Sequence, residues 1–197
     1  MLAFCQTRAL YCAFYCRIDM KNTKIVVVSG TNHKNSLTAQ VADYYAELLC
    51  KRGSSQQVLK LTSLPADFTV TALYENNGKN PAFNHLQAIM ETAQTYVFII
   101  PEYNGSFPGI VKAFIDGLRF PGTFRGKKCA MVGVSKGPQG GALAMSHLTD
   151  IFHYLGMHVY PLKPRLSSIH DSQLETVLAN AQYVQLLEEQ AEGIINY

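Results

Sequence analysis

Charge is scarce in this chain of 197 residues: Asp, Glu, Lys and Arg make up 16% of it, against 48% hydrophobic residues. That balance excludes extensive disorder and leaves ample material for a buried core. The formal net charge is only +3, and no dense run of Lys and Arg occurs. Lys127-Lys128 reads as a turn entering a strand, so no nucleic-acid partner is expected. Internal repeats, low-complexity tracts and linkers are also missing. The length suits one domain, or one domain plus an appendage.

A disulfide framework is absent as well. Three of the five cysteines, Cys5, Cys12 and Cys16, crowd into residues 1–19, while Cys50 and Cys129 read as small buried hydrophobes. A cytoplasmic compartment follows from that usage. Residues 1–19 fail as a secretory leader, because Arg8 and Arg17 bracket a short apolar stretch without a basic opening or a small-residue cleavage site. The stretch is too short and interrupted to span a bilayer, so no membrane partner is expected. Cys12 and Cys16 lack a Cys or His cluster to complete a metal site. Met20-Lys21-Asn22-Thr23 has the look of a natural start. Residues 1–19 are therefore expected to be a disordered extension or a mis-called start, and residues 20–197 the single domain.

Three familiar signatures are missing too. No Gly-Lys-Ser/Thr closes a nucleoside-triphosphate loop, and no GxGxxG marks a dinucleotide fold. The run 105–109 is not the Gly-x-Ser-x-Gly elbow of a hydrolase, since its spacing is off and Pro108 intervenes. His147, His153 and His158 lack the third ligand and carboxylate pattern of a zinc site and read as partly exposed histidines.

What is present is strict alternation. Hydrophobic spacing predicts strands over 24–29, 57–61, 95–100, 128–135 and 158–160, and helices over 36–51, 81–92, 109–119, 141–155 and 171–192. The stretch 62–80 is irregular, with room for a helical turn. Alternation of this kind implies a parallel sheet with helices on both faces.

Three of the strands end in polar, glycine-bearing loops. The first, Ser29-Gly30-Thr31-Asn32-His33-Lys34-Asn35-Ser36, gathers hydroxyls and free amides at a helix start, which suits a single phosphate monoester. Ser36 alternatively serves only as the helix cap. The second runs Pro101-Glu102-Tyr103-Asn104-Gly105-Ser106-Phe107-Pro108-Gly109. Its glycines permit close approach to a flat ligand, and Tyr103 and Asn104 offer a stacking face and hydrogen bonds, or the loop is an ordinary strand–helix connection. The third is Ser135-Lys136-Gly137-Pro138-Gln139-Gly140-Gly141. Within the helix after the second loop, Asp116 reads as structural, and Lys112 as either a solvated residue or its i,i+4 partner.

Together these loops resemble those of the NADPH-dependent FMN reductase family of flavodoxin-like proteins, which includes azo, quinone and chromate reductases. The family's Gly-Ser-x-Arg-x-x-Ser-x-Asn falls on Gly30, Thr31, His33, Ser36 and Thr38. Its Pro-Glu-Tyr-Asn-Gly-Ser-x-Pro-Gly-x-x-Lys-x-x-x-Asp is present from Pro101 to Asp116, and its third-loop glycine pair falls on Gly140 and Gly141. Two positions depart from the pattern. His33 stands where the family has arginine, and imidazole cannot make a two-pronged contact to phosphate. Gly117 stands where tryptophan is frequent.

The resemblance implies a three-layer flavodoxin-like fold with a five-stranded parallel sheet of order 2-1-3-4-5 and the ligand at the switch between strands one and three. It implies FMN as cofactor and NADPH or NADH as donor, serving a small-molecule electron acceptor. Thr31, His33, Ser36 and Thr38 would hold the phosphate, with Leu37 in the same segment. Pro101, Glu102, Tyr103, Asn104 and Gly105 would line the isoalloxazine ring, and Ser135, Gly137, Gly140 and Gly141 would close its other edge. No catalytic side chain is expected, because the flavin carries the chemistry. A homodimer or homotetramer is implied, with Phe83, Ile89, Phe114 and Ile115 shared between sheet packing and an interface. A flavin-binding electron carrier is the competing expectation, although the mild basicity contrasts with acidic flavodoxins. A flavin-free relative is the third.

Overall fold

The computed structural model describes residues 25–197, so the expectations for residues 1–19 lie outside the described residues. β1 (Ile25–Ser29) opens the sheet and α1 (Leu37–Lys51) follows. Next come β2 (Gln56–Lys60), a 3-10 turn, α2 (Phe68–Thr71), a second 3-10 turn and α3 (Pro81–Thr92). The order continues β3 (Thr95–Pro101), α4 (Gly109–Gly117), β4 (Lys128–Val134) and α5 (Ala142–Tyr154). β5 (His158–Val159), β6 (Arg165–Leu166), α6 (Leu174–Leu178) and α7 (Ala181–Asn196) complete it.

All strand pairs are parallel, in the order β2-β1-β3-β4-β5, as expected. The addition is β6, which pairs with β4 beyond β5 through Gly133↔Arg165 and Val134↔Leu166. The expected last strand corresponds to β5, and β6 is a separate short strand on the same edge. Pro161 and Pro164 stand between them, and proline offers no amide to a ladder.

Side chains alternate along each strand and fill two cores. Val26, Val28, Tyr96, Phe98, Ile100, Cys129 and Met131 face α3, α4 and α5. Val27, Val97, Ile99, Ala130 and Val132 face α1 and α7. Both faces are covered, so β3 is buried along its whole length and reads as a continuous apolar run. Phe83, Ile89, Phe114 and Ile115 are all buried in the first core and present no surface to a partner. Cys129 is buried as expected, whereas Cys50 is half-exposed.

Caps account for the helix boundaries. Ser36 Oγ accepts from the Ala39 amide at 3.2 Å, and Asn80 Oδ1 accepts from Phe83 at 3.1 Å with Pro81 at the first helical position. The single helix expected over 171–192 is instead α6 and α7. Asn180 adopts an extended backbone and caps α7, accepting from the amides of Gln182 and Tyr183 at 3.0 and 3.3 Å. A cap of this strength starts a new helix rather than continuing an old one.

Candidate functional site

The three loops leave the carboxyl ends of β1, β3 and β4 and surround a cleft of about 470 Å³. Open α/β sheets hold ligands at this edge, where the strand order reverses between β1 and β3.

The first loop exits β1 at Gly30, whose amide donates to Ile99 O at 2.9 Å. A Cβ there would lie 2.5 Å from Ile100 Cδ1 and 2.9 Å from Ile99 O, so only glycine crosses β3 this closely. Thr31 is buried; its Oγ1 accepts from the His33 amide at 3.1 Å and is hydrogen-bonded to the Tyr103 hydroxyl at 3.0 Å. His33, Asn35, Ser36, Leu37 and Thr38 then line the cleft. The amides of Leu37 and Thr38 belong to the first turn of α1 and have no intrahelical acceptor, so this wall presents donors and the positive end of a helix dipole.

In the second loop, Pro101, Glu102 and Tyr103 line the cleft. Asn104 and Gly105 do not. They form a two-residue hairpin closed by Tyr103 N to Ser106 O at 2.8 Å and Ser106 N to Tyr103 O at 3.1 Å. Both have positive φ, 52° and 73°, which is why Asn-Gly occupies the turn. Ser106 Oγ is hydrogen-bonded to His147 Nδ1 at 2.9 Å, which ties the loop to α5.

The third loop contributes Ser135, Lys136 and Gly137. Ser135 Oγ accepts from the Gly137 amide at 2.9 Å. Gly140 and Gly141 sit buried behind this wall, with φ of 58° and 77°. The Gly141 amide donates to the Glu102 carboxylate at 3.1 Å, joining the third loop to the second. Behind it, a Cβ on Gly133 would fall 2.1 Å from Gly140 O.

The model of the family described as NADPH-dependent FMN reductase matches residues 23–170. The chain belongs to the NADPH-dependent FMN reductase family. Its members are NAD(P)H-dependent flavin oxidoreductases. A 2-hydroxy-1,4-benzoquinone reductase of a Burkholderia species is 30% identical over 151 residues, 75% of this chain and 79% of that one. A probable NADPH:quinone oxidoreductase of Oryza sativa is 26% identical over 140 residues, 70% and 68% of the two chains. Among solved structures, FerB, a flavoenzyme NAD(P)H:(acceptor) oxidoreductase from Paracoccus denitrificans, superposes with a TM-score of 0.71 at 20% identity, covering 89% of this chain and 96% of that one. A flavodoxin of Pseudomonas aeruginosa shares the fold at a TM-score of 0.60 and 17% identity, covering 87% and 98%.

Within this family frame, the structure brings His33, Ser36, Leu37, Thr38, Pro101, Glu102, Tyr103, Ser135 and Gly137 to the cleft surface. Thr31, Gly140 and Gly141 are buried beside it, and Asn104 and Gly105 form the hairpin turn next to Tyr103. Sequence reading missed Asn35, Val134, Ile169 and Ser172, which also line it. Asn35 carried a signal, being a turn former with φ of 55° before a helix cap. Ile169 and Ser172 carried none, since they arrive from beyond β6. Among the described residues, no group of three His, Cys, Asp or Glu is arranged to hold a metal ion. His147, His153 and His158 are all exposed. The strongly perturbed titrating groups lie away from the cleft: burial raises the pKa of Tyr45 and Tyr96 and pushes the Cys129 thiol up to about 12.

Proposed function

We propose that the protein is an NAD(P)H-dependent quinone-type reductase that holds FMN in this cleft. The supporting observation is the meeting, in one cavity, of a donor-rich helix start with the Pro101–Tyr103 and Ser135–Gly137 backbones. The donor set fits a phosphate monoester: first-turn amides of Leu37 and Thr38, hydroxyls of Ser36 and Thr38, and the side chains of His33 and Lys136. The fit toward a flat ring is equally direct, because the neighbouring loops present backbone and the Tyr103 ring rather than bulky core side chains.

Bound FMN supplies the hydride chemistry, taken from NAD(P)H and delivered to a small acceptor, so no side-chain nucleophile is required. The chain's residues orient and enclose. Leu37, Thr38 and Ser36 fix the phosphate end; Pro101, Glu102 and Tyr103 support the ring; Ser135, Lys136 and Gly137 border its opposite edge. Glu102 is itself held by the Gly141 amide, which keeps its carboxylate from swinging into the ring space. Ping-pong kinetics would follow if donor and acceptor share one face of the bound ring. Quinones are the proposed acceptor class, in keeping with the names of the Burkholderia and Oryza relatives.

A homodimer belongs to the same reading. Tyr74, Phe120 and Tyr154 are exposed and supply apolar surface. Cys50 and Cys129 are free thiols, in keeping with a cytoplasmic location, and among the described residues no helix is long and apolar enough to cross a membrane.

The test is a visible spectrum of the purified protein with FMN, recorded without oxygen before and after NADPH. A perturbed flavin band that NADPH bleaches and a quinone restores supports the reading. Binding without bleaching indicates a carrier, and absence of binding overturns the cofactor assignment.

A further inference from the structure

The cleft has a fourth wall that the family match does not reach. That match ends at residue 170, whereas Ser172 lines the cavity beside Ile169. Ser172 is held there by one side chain from α1. Gln40 Nε2 donates to Ser172 O at 3.2 Å, and Gln40 Oε1 accepts from the Leu174 amide at 3.3 Å. Both amide atoms of Gln40 are thus used to clamp the segment to the first turns of α1, next to Ser36 and Thr38.

Two features of Ser172 go beyond filling space. Its backbone is left-handed, with φ of 58°, a conformation that L side chains other than Asn and Asp rarely adopt. Its hydroxyl makes no hydrogen bond among the described residues, while its carbonyl is taken by Gln40. The neighbouring acid, Asp171, is turned elsewhere: its carboxylate accepts from the Gln173 amide and the Thr176 hydroxyl, and it does not line the cleft. The charged groups that do line the cavity are Lys136 and Glu102, with His33 at the helix-start side.

We infer that Ser172 is an additional phosphate-binding residue for the flavin, with Gln40 as its positioning residue. The inference rests on the FMN reading above. Ser172 donates its hydroxyl proton to a phosphate oxygen, complementing the Leu37 and Thr38 amides that line the same cavity. Gln40 acts only through the segment it clamps. This contact lies outside the family pattern and compensates for the arginine that His33 replaces.

The experiment compares FMN with riboflavin, which lacks the phosphate, by quenching of flavin fluorescence on the purified full chain. Ser172→Gly removes the hydroxyl at a backbone position where glycine is comfortable, so folding is spared. It is expected to weaken FMN about tenfold, the weight of one charge-assisted hydrogen bond, and to leave riboflavin unchanged. Gln40→Leu is expected to do the same, and the double variant to lose no more than either alone, because both act through one contact. Unchanged FMN affinity in Ser172→Gly overturns the inference and leaves the FMN reading intact. Equal losses for FMN and riboflavin also overturn it, since they mean that the wall only shapes the cavity. A parent protein that binds neither flavin overturns the inference and the FMN reading together.

Discussion

The hydroxyl of Tyr103 meets Thr31 Oγ1 at 3.0 Å and joins two loops whose residues stand 72 positions apart. Thr31 also accepts from the His33 amide, so the ring-side loop and the phosphate-side loop share one hydroxyl. The two ends of the cleft are mechanically coupled through this pair.

Tyr103→Phe keeps the aromatic face and removes only that link. Folding stability is expected to fall by about 1 kcal/mol, or roughly 2–4 °C in Tm for a chain of this size. Affinity for FMN is expected to fall several-fold, with the loss shared by riboflavin, because the ring-side loop is the part released. An unchanged melting temperature and unchanged affinity would mean that the link carries no weight.

His33→Arg is expected to tighten FMN binding roughly tenfold without affecting riboflavin. Guanidinium is permanently charged and reaches phosphate through two parallel N–H groups, which imidazole cannot do. Titration of both flavins into the variant checks this. A variant that binds FMN no better would remove His33 from the phosphate end.

Gly133→Ala tests the close approach behind the third loop. Its Cβ would sit 2.1 Å from Gly140 O and 2.8 Å from Met145 Cε, and the nearer atom is backbone that cannot rotate away. The third loop must shift outward, at a cost of about 1–3 kcal/mol or more. Displacing Gly140 and Gly141 also disturbs the Gly141 amide that holds Glu102. Urea unfolding reads the stability term, and wild-type stability would contradict the packing described here.

Alkaline pH is expected to destabilise the fold. Burial raises the pKa of Tyr45 and Tyr96 above 10.0 and that of Cys129 from 9.0 to about 12. The unfolded chain loses these protons first, so their contribution is full below about pH 9 and is lost as pH rises toward the folded values. Each ionised group removes up to about 1.4 kcal/mol per pH unit. Lys127 works in the opposite direction. Desolvation lowers its pKa below 10.5, so its contribution grows as pH rises through that window. Three groups outweigh one, and the urea midpoint should drop between about pH 9 and about pH 11. A midpoint that holds steady across that range would refute the assignment.

Much of this architecture was legible in the sequence because its signals are local. The β-branched run at Ile25–Ser29, the apolar run at Thr95–Pro101 and the helix-period spacing between them each report their own element, and alternation alone implies the parallel sheet. Asn104-Gly105 belongs to the same local class, since its dipeptide chemistry is that of a hairpin turn. The last helix differs from expectation for a related reason: Asn180 caps a new helix, while apolar spacing continues across the break.

Periodicity, caps and turn chemistry act over a few residues, so the main strands and helices, the three polar loops and the glycines that let them crowd one sheet edge are readable from the chain alone. Which residues face the cleft depends on packing between distant segments. Gln40 meets Ser172 across 132 positions, and Glu102 meets Gly141 across 39. No local pattern encodes such pairs. They exist because packing on the sheet brings distant segments together.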